Sequence, residues 1–188
     1  MNKNQVIIFI IILFCVSSTN AQNIKLSANP FHAPPSIARE IGIEFENKLN
    51  IGNSIGAGVS YYYMEPNKSG DGEYSGYKVQ LIYRKYLKNK VAYKGLYISP
   101  SLNFLQTSIP EDDEPFVSLK NGERIGFGLG IKLGFQLIVA KNILLGFGIG
   151  PTYYSNQINK EFADNSFDSY KYNSTELELA FSVGWLIR

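Results

Sequence analysis

The sequence predicts an all-β protein, an eight-stranded antiparallel up-and-down transmembrane β-barrel. Three observations predict it: hydrophobicity alternates with period two along most of the chain, the alternation persists over unusually long stretches, and charges fall on one strand face. The clearest stretch is Glu123–Val139, where every second residue from Ile125 is apolar and the others are mainly glycine or polar. Because successive strand side chains point to opposite faces, one face is apolar and the other is small or polar. The stretch exceeds the ~5–6 residues of a usual strand and suits a wall between lipid and a narrow lumen.

Composition predicts one domain and argues against nucleic acid as a partner. The 188 residues suffice for a single domain, and the formal net charge is only +2. A near-neutral chain lacks the basic surface that attracts nucleic acid. The 13 Tyr, 12 Phe and 17 Gly are typical of long strands, tight packing and girdles at a membrane interface.

Residues 1–21 have the pattern of a secretory signal peptide. Lys3 supplies positive charge, Val6–Val16 is an apolar run, and Thr19–Ala21 precedes the expected cleavage. The run is too short to span a bilayer comfortably. Cys15 lies inside it, and Phe14 stands where a lipidated cysteine needs a small residue, so we expect no lipid anchor. The exported domain is then 22–188, without cysteine or disulfide.

The first four predicted strands end where residues break a ladder or favour turns. Pro34 and Pro35 end the first, which is the least patterned of the eight. A short link, Lys48–Gly52, joins the second strand to the third. The composition of Pro66–Gly72 predicts a loop before the fourth. These strands are Ile24–Phe31, Arg39–Asn47, Ser54–Met64 and Tyr74–Leu87.

The last four predicted strands are longer and include one proline inside an alternating run. Pro100 lies within the fifth strand, where it indicates a bulge that spares a ladder hydrogen bond. Only Ala140–Asn142 separates the sixth strand from the seventh, which predicts a tight hairpin. Ser108–Gly122 and Asn156–Lys171 are predicted to be long polar loops. These strands are Lys94–Thr107, Glu123–Val139, Ile143–Ser155 and Tyr172 to the end of the chain.

Connection lengths indicate an orientation. The links after strands two, four and six are short, whereas those after three, five and seven are longer and polar. Outer-membrane barrels have short periplasmic turns and longer outside loops. We therefore expect both termini in the periplasm, as an even strand count requires.

A soluble eight-stranded barrel is the competing interpretation, and the charge distribution favours the membrane. A soluble barrel packs its apolar face inward and keeps polar groups outside. Here the charges of the even-numbered strands lie on the face rich in glycine, opposite the face rich in Phe, Leu, Ile and Val. Such a face suits a crowded lumen better than a solvated surface.

The chain resembles small eight-stranded outer-membrane barrels of the OmpA transmembrane or OmpX type, and most of all those exported by Bacteroidota. The signal peptide, the alternating strands, Gly150–Pro151 and the terminal strand Leu177–Arg188 carry the resemblance. It implies location in the cell outer membrane, contact with its lipid and lipopolysaccharide, and the barrel assembly machinery as a partner during biogenesis.

The lumen charges form the main candidate site. An eight-stranded barrel is just wide enough for its own side chains to fill, and buried charges need partners. We therefore expect an ion-pair network inside the lumen. Its residues are Glu44, Glu46, Lys78, Arg84, Lys132, Glu176 and Glu178. Aromatic residues near strand ends are expected to form interface girdles. They are Tyr61, Tyr63, Tyr83, Tyr153 and Trp185.

No motif supports catalysis, a cofactor or a dedicated metal site. His32 is the only histidine, and with Ser36, four residues later, it completes no set of nucleophile, base and orienting group. The acidic run Glu111–Glu114, with Asp71, Asp164 and Asp168, has oxygen ligands for Ca²⁺ but no EF-hand spacing. Acidic loops that stay solvated, or that bridge lipopolysaccharide through divalent ions, are the favoured interpretation.

The sequence therefore favours a non-enzymatic barrel with a structural role or a role in surface interaction through its outside loops. Aromatic residues in those loops either contact a surface partner or cover the barrel mouth; they are Phe116, Phe162, Phe167, Tyr170 and Tyr172. Two alternatives stay open. One is a narrow channel or uptake barrel for small solutes, and the other is an accessory barrel of a secretion or assembly complex.

Overall fold

The computed structural model describes residues 23–33, 38–50, 52–64, 74–87, 93–109 and 119–187. Eight antiparallel strands follow one another around a closed barrel, and β1 pairs with β8 to complete the ring. The predicted all-β eight-stranded up-and-down barrel is confirmed. Within the described ranges, no helix is long and apolar enough to cross a membrane. The strands are β1 Asn23–Ala33, β2 Ala38–Asn50, β3 Asn53–Met64, β4 Tyr74–Tyr86, β5 Gly95–Ile109, β6 Leu119–Ile138, β7 Ile143–Phe162 and β8 Phe167–Leu186.

The period-two pattern sorts side chains between lumen and exterior. Along β5, buried and exposed residues alternate from Gly95 to Ser101 without a break. On β6, the apolar set from Phe127 to Leu137 faces outward, with each side chain 40–65% exposed, while Arg124 and Gln136 are buried. The barrel is therefore polar inside and apolar outside over most of its height.

The barrel has two different ends. The connections β2–β3, β4–β5 and β6–β7 lie at one end, together with the ends of β1 and β8 at Asn23 and Leu186. We call it the turn end. The connections β1–β2, β3–β4, β5–β6 and β7–β8 lie at the other, which we call the loop end. At the turn end, Gly52 has a φ of 82°, a left-handed conformation that glycine adopts without strain.

The prediction that Asn156–Lys171 forms a long loop is wrong. β7 continues to Phe162 and β8 begins at Phe167, so a turn of only four residues joins them. Asn165 has a φ of 61° in this turn, and its N–H donates to the carbonyl of Phe162 at 2.9 Å. Both faces of a strand can be polar once it leaves the apolar belt, so the hydrophobic alternation fades while the ladder continues.

Strand bounds and connections differ from expectation elsewhere too. β5 extends to Ile109 and β6 begins at Leu119, inside the predicted loop Ser108–Gly122, of which 110–118 lie outside the described residues. The connection from Tyr86 to Gly95 is not short, whereas that after β7 is short. The asymmetry between the two ends therefore comes partly from strand length, because β6, β7 and β8 have 20 residues each.

The predicted bulge at Pro100 is also wrong. Pro100 pairs in register with Ile131 of β6, and the β4–β5 register is the same on both sides of the proline. Pairing on the β4 side instead stops between Ile82↔Ser101 and Lys85↔Ile98. A proline has no N–H to donate, so the ladder is interrupted without an inserted residue.

Candidate functional site

The lumen contains a balanced set of charged side chains. In the described part of the barrel, five cations and five glutamates make ion pairs across the interior. Equal numbers of opposite charges matter because an unpaired buried charge is costly. The cations are Lys25, Lys78, Arg84, Arg124 and Lys132, and the carboxylates are Glu40, Glu44, Glu46, Glu176 and Glu178.

Four of these residues form a cluster towards the turn end, which we call the lower layer: Lys25, Glu44, Glu46 and Arg84. Arg84 binds Glu44 through both terminal nitrogens, at 2.5 and 2.7 Å, and lies 3.2 Å from Glu46. Lys25 Nζ lies 3.3 Å from Glu44 and also binds Glu46. The bidentate geometry uses the planar guanidinium fully and fixes its orientation. The hydroxyl of Tyr86, which is not one of the four, donates to Glu46 at 3.0 Å.

A second cluster lies nearer the loop end, and we call it the central layer: Glu40, Lys78, Lys132 and Glu178. Lys78 Nζ lies 2.6 Å from Glu40 and 3.3 Å from Glu178, so it joins β2 to β8 across the lumen. Lys132 Nζ lies 2.5 Å from the other oxygen of Glu178. Tyr154 also donates to Glu178, at 3.3 Å.

Tyr154 reaches the central layer because the neighbouring strand β6 leaves room for its ring. A Cβ on Gly128 of β6 would lie 2.6 Å from this ring. The glycine therefore lets the tyrosine ring lie against β6 inside the lumen.

Arg124 forms the charged contact nearest the loop end. Its guanidinium lies 3.3 Å from Glu176 and donates to Asn156 at 3.0 Å. It also lies over the ring of Tyr172, 5.8 Å from the centroid. A cation over an aromatic face gains electrostatic stabilisation.

Apolar and aromatic side chains pack towards both ends of the lumen, and those at the loop end lie around Arg124. The larger set, which we call the loop-end cluster, packs Phe162 and Tyr172 against buried residues. The smaller set, the turn-end cluster, packs Ile138 against buried residues. The buried members are Tyr62, Met64, Tyr74, Leu105, Ile109, Leu119, Tyr154 and Ile158 at the loop end, and Tyr93, Leu144 and Leu186 at the turn end.

All seven side chains of the predicted network lie in the lumen and make ion pairs. Glu44, Glu46 and Arg84 are in the lower layer; Lys78, Lys132 and Glu178 are in the central layer; Glu176 binds Arg124. Lys25, Glu40 and Arg124 also belong to the network, although they were not predicted to. Each lies within a predicted strand and on its inward face by strand parity, so applying the alternation to every charged residue of β1, β2 and β6 finds them.

The predicted girdle residues lie on the exterior at two heights. Tyr61, Tyr83, Tyr153 and Trp185 are exposed, and Tyr63 is partly buried. Tyr61, Tyr63 and Tyr153 are towards the loop end, whereas Tyr83 and Trp185 are towards the turn end. Trp185 pairs with Ile143, ten residues before Tyr153 on β7. At ~3.3 Å per residue and a tilt of ~35–45°, the two heights are about 25 Å apart, close to the ~25 Å apolar band of an outer-membrane barrel.

The β7–β8 hairpin projects past β1, whereas on its other side β6 pairs with β7 as far as Leu119↔Phe162. β1 pairs with β8 only as far as Ala33↔Leu177. Near the tip, Lys160 lies over Tyr170, and Phe167 is 77% exposed. In the turn, both the backbone N–H and the hydroxyl of Ser166 donate to Asp164, which lowers the pKa of that carboxyl.

Other candidate residues lie largely beyond what the structure describes. The signal peptide with Cys15, Ser36, Asp71 and the stretch 111–116 are outside the described residues. His32 belongs to β1, but its side chain is not described. Among the side chains that are described, no three His, Cys, Asp or Glu residues gather as they would around a metal ion.

A comparison with protein families gives a match over residues 6–181, to the family described as protein of unknown function (DUF3575). The chain belongs to this family. No curated protein matches it.

Two solved structures are similar to the chain. One is the N-terminal β-barrel domain of Pseudomonas aeruginosa OprF, with 10% identity and a TM-score of 0.45, covering 89% of this chain and 98% of that one. The other is a major outer membrane protein from Thermus thermophilus, with 13% identity and a TM-score of 0.46, covering 88% and 99%.

Proposed function

We propose that the protein is a non-enzymatic integral barrel of the outer membrane, with a lumen filled by side chains and a structural or surface-interaction role at its loop end. The observation that carries this proposal is the polarity of the barrel: its ion pairs lie inside and its large apolar side chains lie outside. A soluble barrel has the reverse arrangement. Export by the predicted signal peptide would deliver residues 22–188 to the periplasm, where the barrel assembly machinery inserts them.

The exterior supports the membrane part of the proposal. Large apolar side chains that are more than a third exposed occur on all eight strands. Soluble monomers rarely expose a contiguous apolar patch of more than a few hundred Å². In lipid, exposed apolar side chains do not cost the free energy that they cost in water. Closure of the barrel also leaves no strand edge without hydrogen bonds in the hydrocarbon.

The contacts inside support a filled lumen. The charged layers occupy the middle, and the apolar clusters lie between them and each end. A channel for ions needs a continuous hydrated path, and these contacts favour a structural plug over the channel alternative.

Trp185 provides a direct test of membrane insertion, because the chain has one tryptophan and it is 55% exposed. We expect its fluorescence in reconstituted vesicles to be quenched by lipids brominated near the headgroup more than by lipids brominated near the chain end. The control is W185F with F167W, which moves the tryptophan to the hairpin tip, where we expect no quenching. Equal, weak quenching of both proteins would contradict insertion.

The projecting hairpin supports a role in surface interaction. Loops on a rigid scaffold are where recognition residues usually lie, and Phe167 and Lys171 are exposed near the tip. We expect F167S with K171S to reduce attachment of expressing cells at least tenfold while unfolding of the barrel stays unchanged. A matched control is S155A on the exterior of β7. Unchanged attachment would leave only the structural role. Solute flux in vesicles would favour the channel alternative, and co-purification with a secretion complex would favour the accessory barrel.

A further inference from the structure

A cavity of about 40 Å³ lies in the lumen where the lower and central layers meet. Arg84 of the lower layer and Lys132 of the central layer both line it, as does Glu44. Its remaining polar wall is made largely of hydroxyl groups. They belong to Ser27, Tyr97, Ser99, Ser101 and Ser182. Two of them already donate to backbone carbonyls, Ser27 to Gly42 at 3.3 Å and Tyr97 to Phe147 at 3.4 Å.

Several hydrogen-bond donors around the cavity are not used by the described residues. Arg84 is 7% exposed, and its Nε is buried with no hydrogen-bond partner in the part of the chain that the structure describes. Ser101 accepts a hydrogen bond from Asn103 at 3.2 Å, which leaves its own O–H to donate. Lys132 Nζ lies 2.5 Å from Glu178 Oε2 as an ion pair and carries three N–H groups. A buried donor without a partner is costly, so the cavity is suited to a ligand that accepts hydrogen bonds.

The charge and the size of the cavity restrict which ligands it could bind. The cavity wall carries two cations and one carboxylate, and both oxygens of that carboxylate, Glu44, already bind Arg84. The wall thus presents a net positive charge in a low-dielectric interior, where charge interactions are stronger than in water. About 40 Å³ holds roughly three water-sized spheres, far below the ~300–1,000 Å³ of pockets for organic molecules.

We propose that this cavity is a binding site for one small monatomic anion of the halide class, held by Arg84 Nε and Lys132 Nζ and by the hydroxyls of Ser99, Ser101 and Ser182. The anion supplies the acceptor that Arg84 Nε lacks, and it connects the two charged layers. The carboxylates of each layer compete for the same cations, so we expect millimolar affinity. The site does not depend on the membrane role proposed above.

Bromide is the probe, because it scatters anomalously. We expect crystals of the protein grown in detergent with sodium bromide to show an anomalous peak within the cavity, in contact with Arg84 and Lys132. We also expect the thermal unfolding midpoint to rise when bromide or chloride replaces gluconate, which is too large for the cavity, at constant ionic strength. Ordered water without an anomalous peak would overturn the proposal.

Variants separate this site from general salt effects. We expect K132M to abolish the halide-dependent rise in the unfolding midpoint, and S99A, a milder change at the same cavity, to reduce it. S155A on the barrel exterior should keep the full rise. An equal halide response in all three proteins would overturn the site even if K132M proved too unstable to crystallise.

Discussion

At the residue scale, Glu178 is the carboxylate on which the central layer depends. It is 0% exposed and lies between Lys78, Lys132 and Tyr154. Removing one partner of a buried ion pair leaves an uncompensated charge, which costs about 3–5 kcal/mol. We expect E178Q to lower the free energy of unfolding by that amount, measured by urea unfolding in lipid vesicles.

The control for this variant restores the charge balance. E178Q with K132M removes one charge of each sign, and we expect it to regain much of the lost stability because Lys78 keeps Glu40 at 2.6 Å. An E178Q protein as stable as the native one would show that the central layer does not stabilise the barrel.

The sequence predicts which side chains face the lumen better than it predicts their partners. Strand parity alone is enough to place Glu44, Lys78 and Glu178 inside. It does not indicate that Lys78 bridges Glu40 and Glu178, because that contact depends on strand tilt and on the stagger of the closed barrel. The loop-end cluster could not be predicted for a related reason. The alternation shows that Tyr62 and Leu105 face inward, but it does not show that they pack together.

At the element scale, the contact between β6 and β7 is interrupted at one height. Their pairing stops between Gly130↔Thr152 and Leu133↔Ile149, around Pro151. A Cβ on Gly150 would overlap the carbonyl oxygen of Ile131 and lie 2.6 Å from Lys132 Cα. Backbone atoms cannot move aside as a flexible side chain can.

Gly150 therefore tests how closely these strands approach. We expect G150A to lower the free energy of unfolding by about 1–3 kcal/mol, as overpacking usually does. The matched control is G148A, because a Cβ at Gly148 would meet nothing closer than the Tyr97 hydroxyl, at 3.3 Å. Equal stability of the two variants in urea would contradict the close approach.

The extended β7–β8 hairpin is the element that the sequence predicted least well. Residues 156–171 lack apolar alternation, yet Asn159↔Ser169 and Lys160↔Asp168 are paired in the ladder. Strand pairing outside the apolar belt needs only backbone hydrogen bonds and turn chemistry, which hydrophobicity does not report. We expect hydrogen–deuterium exchange to show protected amides in 157–162, slower by at least tenfold than in a random coil. Exchange at the random-coil rate would restore the loop interpretation.

At the scale of the whole molecule, the barrel reverses the polarity of a soluble protein. Its exterior suits lipid. Its interior contains ion-paired side chains, with an apolar cluster towards each end. The same alternation produces both surfaces, which explains why the fold class could be predicted from sequence alone. How completely side chains fill the lumen depends on packing in three dimensions, which alternation does not encode.

This arrangement predicts the electrical behaviour of the purified protein. An ion crossing the lumen would have to displace paired charges such as Lys78 and Glu178 and also pass both apolar clusters, so we expect no stable open steps in planar bilayers. Quenching of Trp185 by brominated lipid in the same preparation would verify that the protein is inserted. We expect L105A with I158A, which thins the loop-end cluster, to remain closed because both charged layers stay intact. Stable unitary steps in the native protein would contradict a filled lumen and favour the channel alternative.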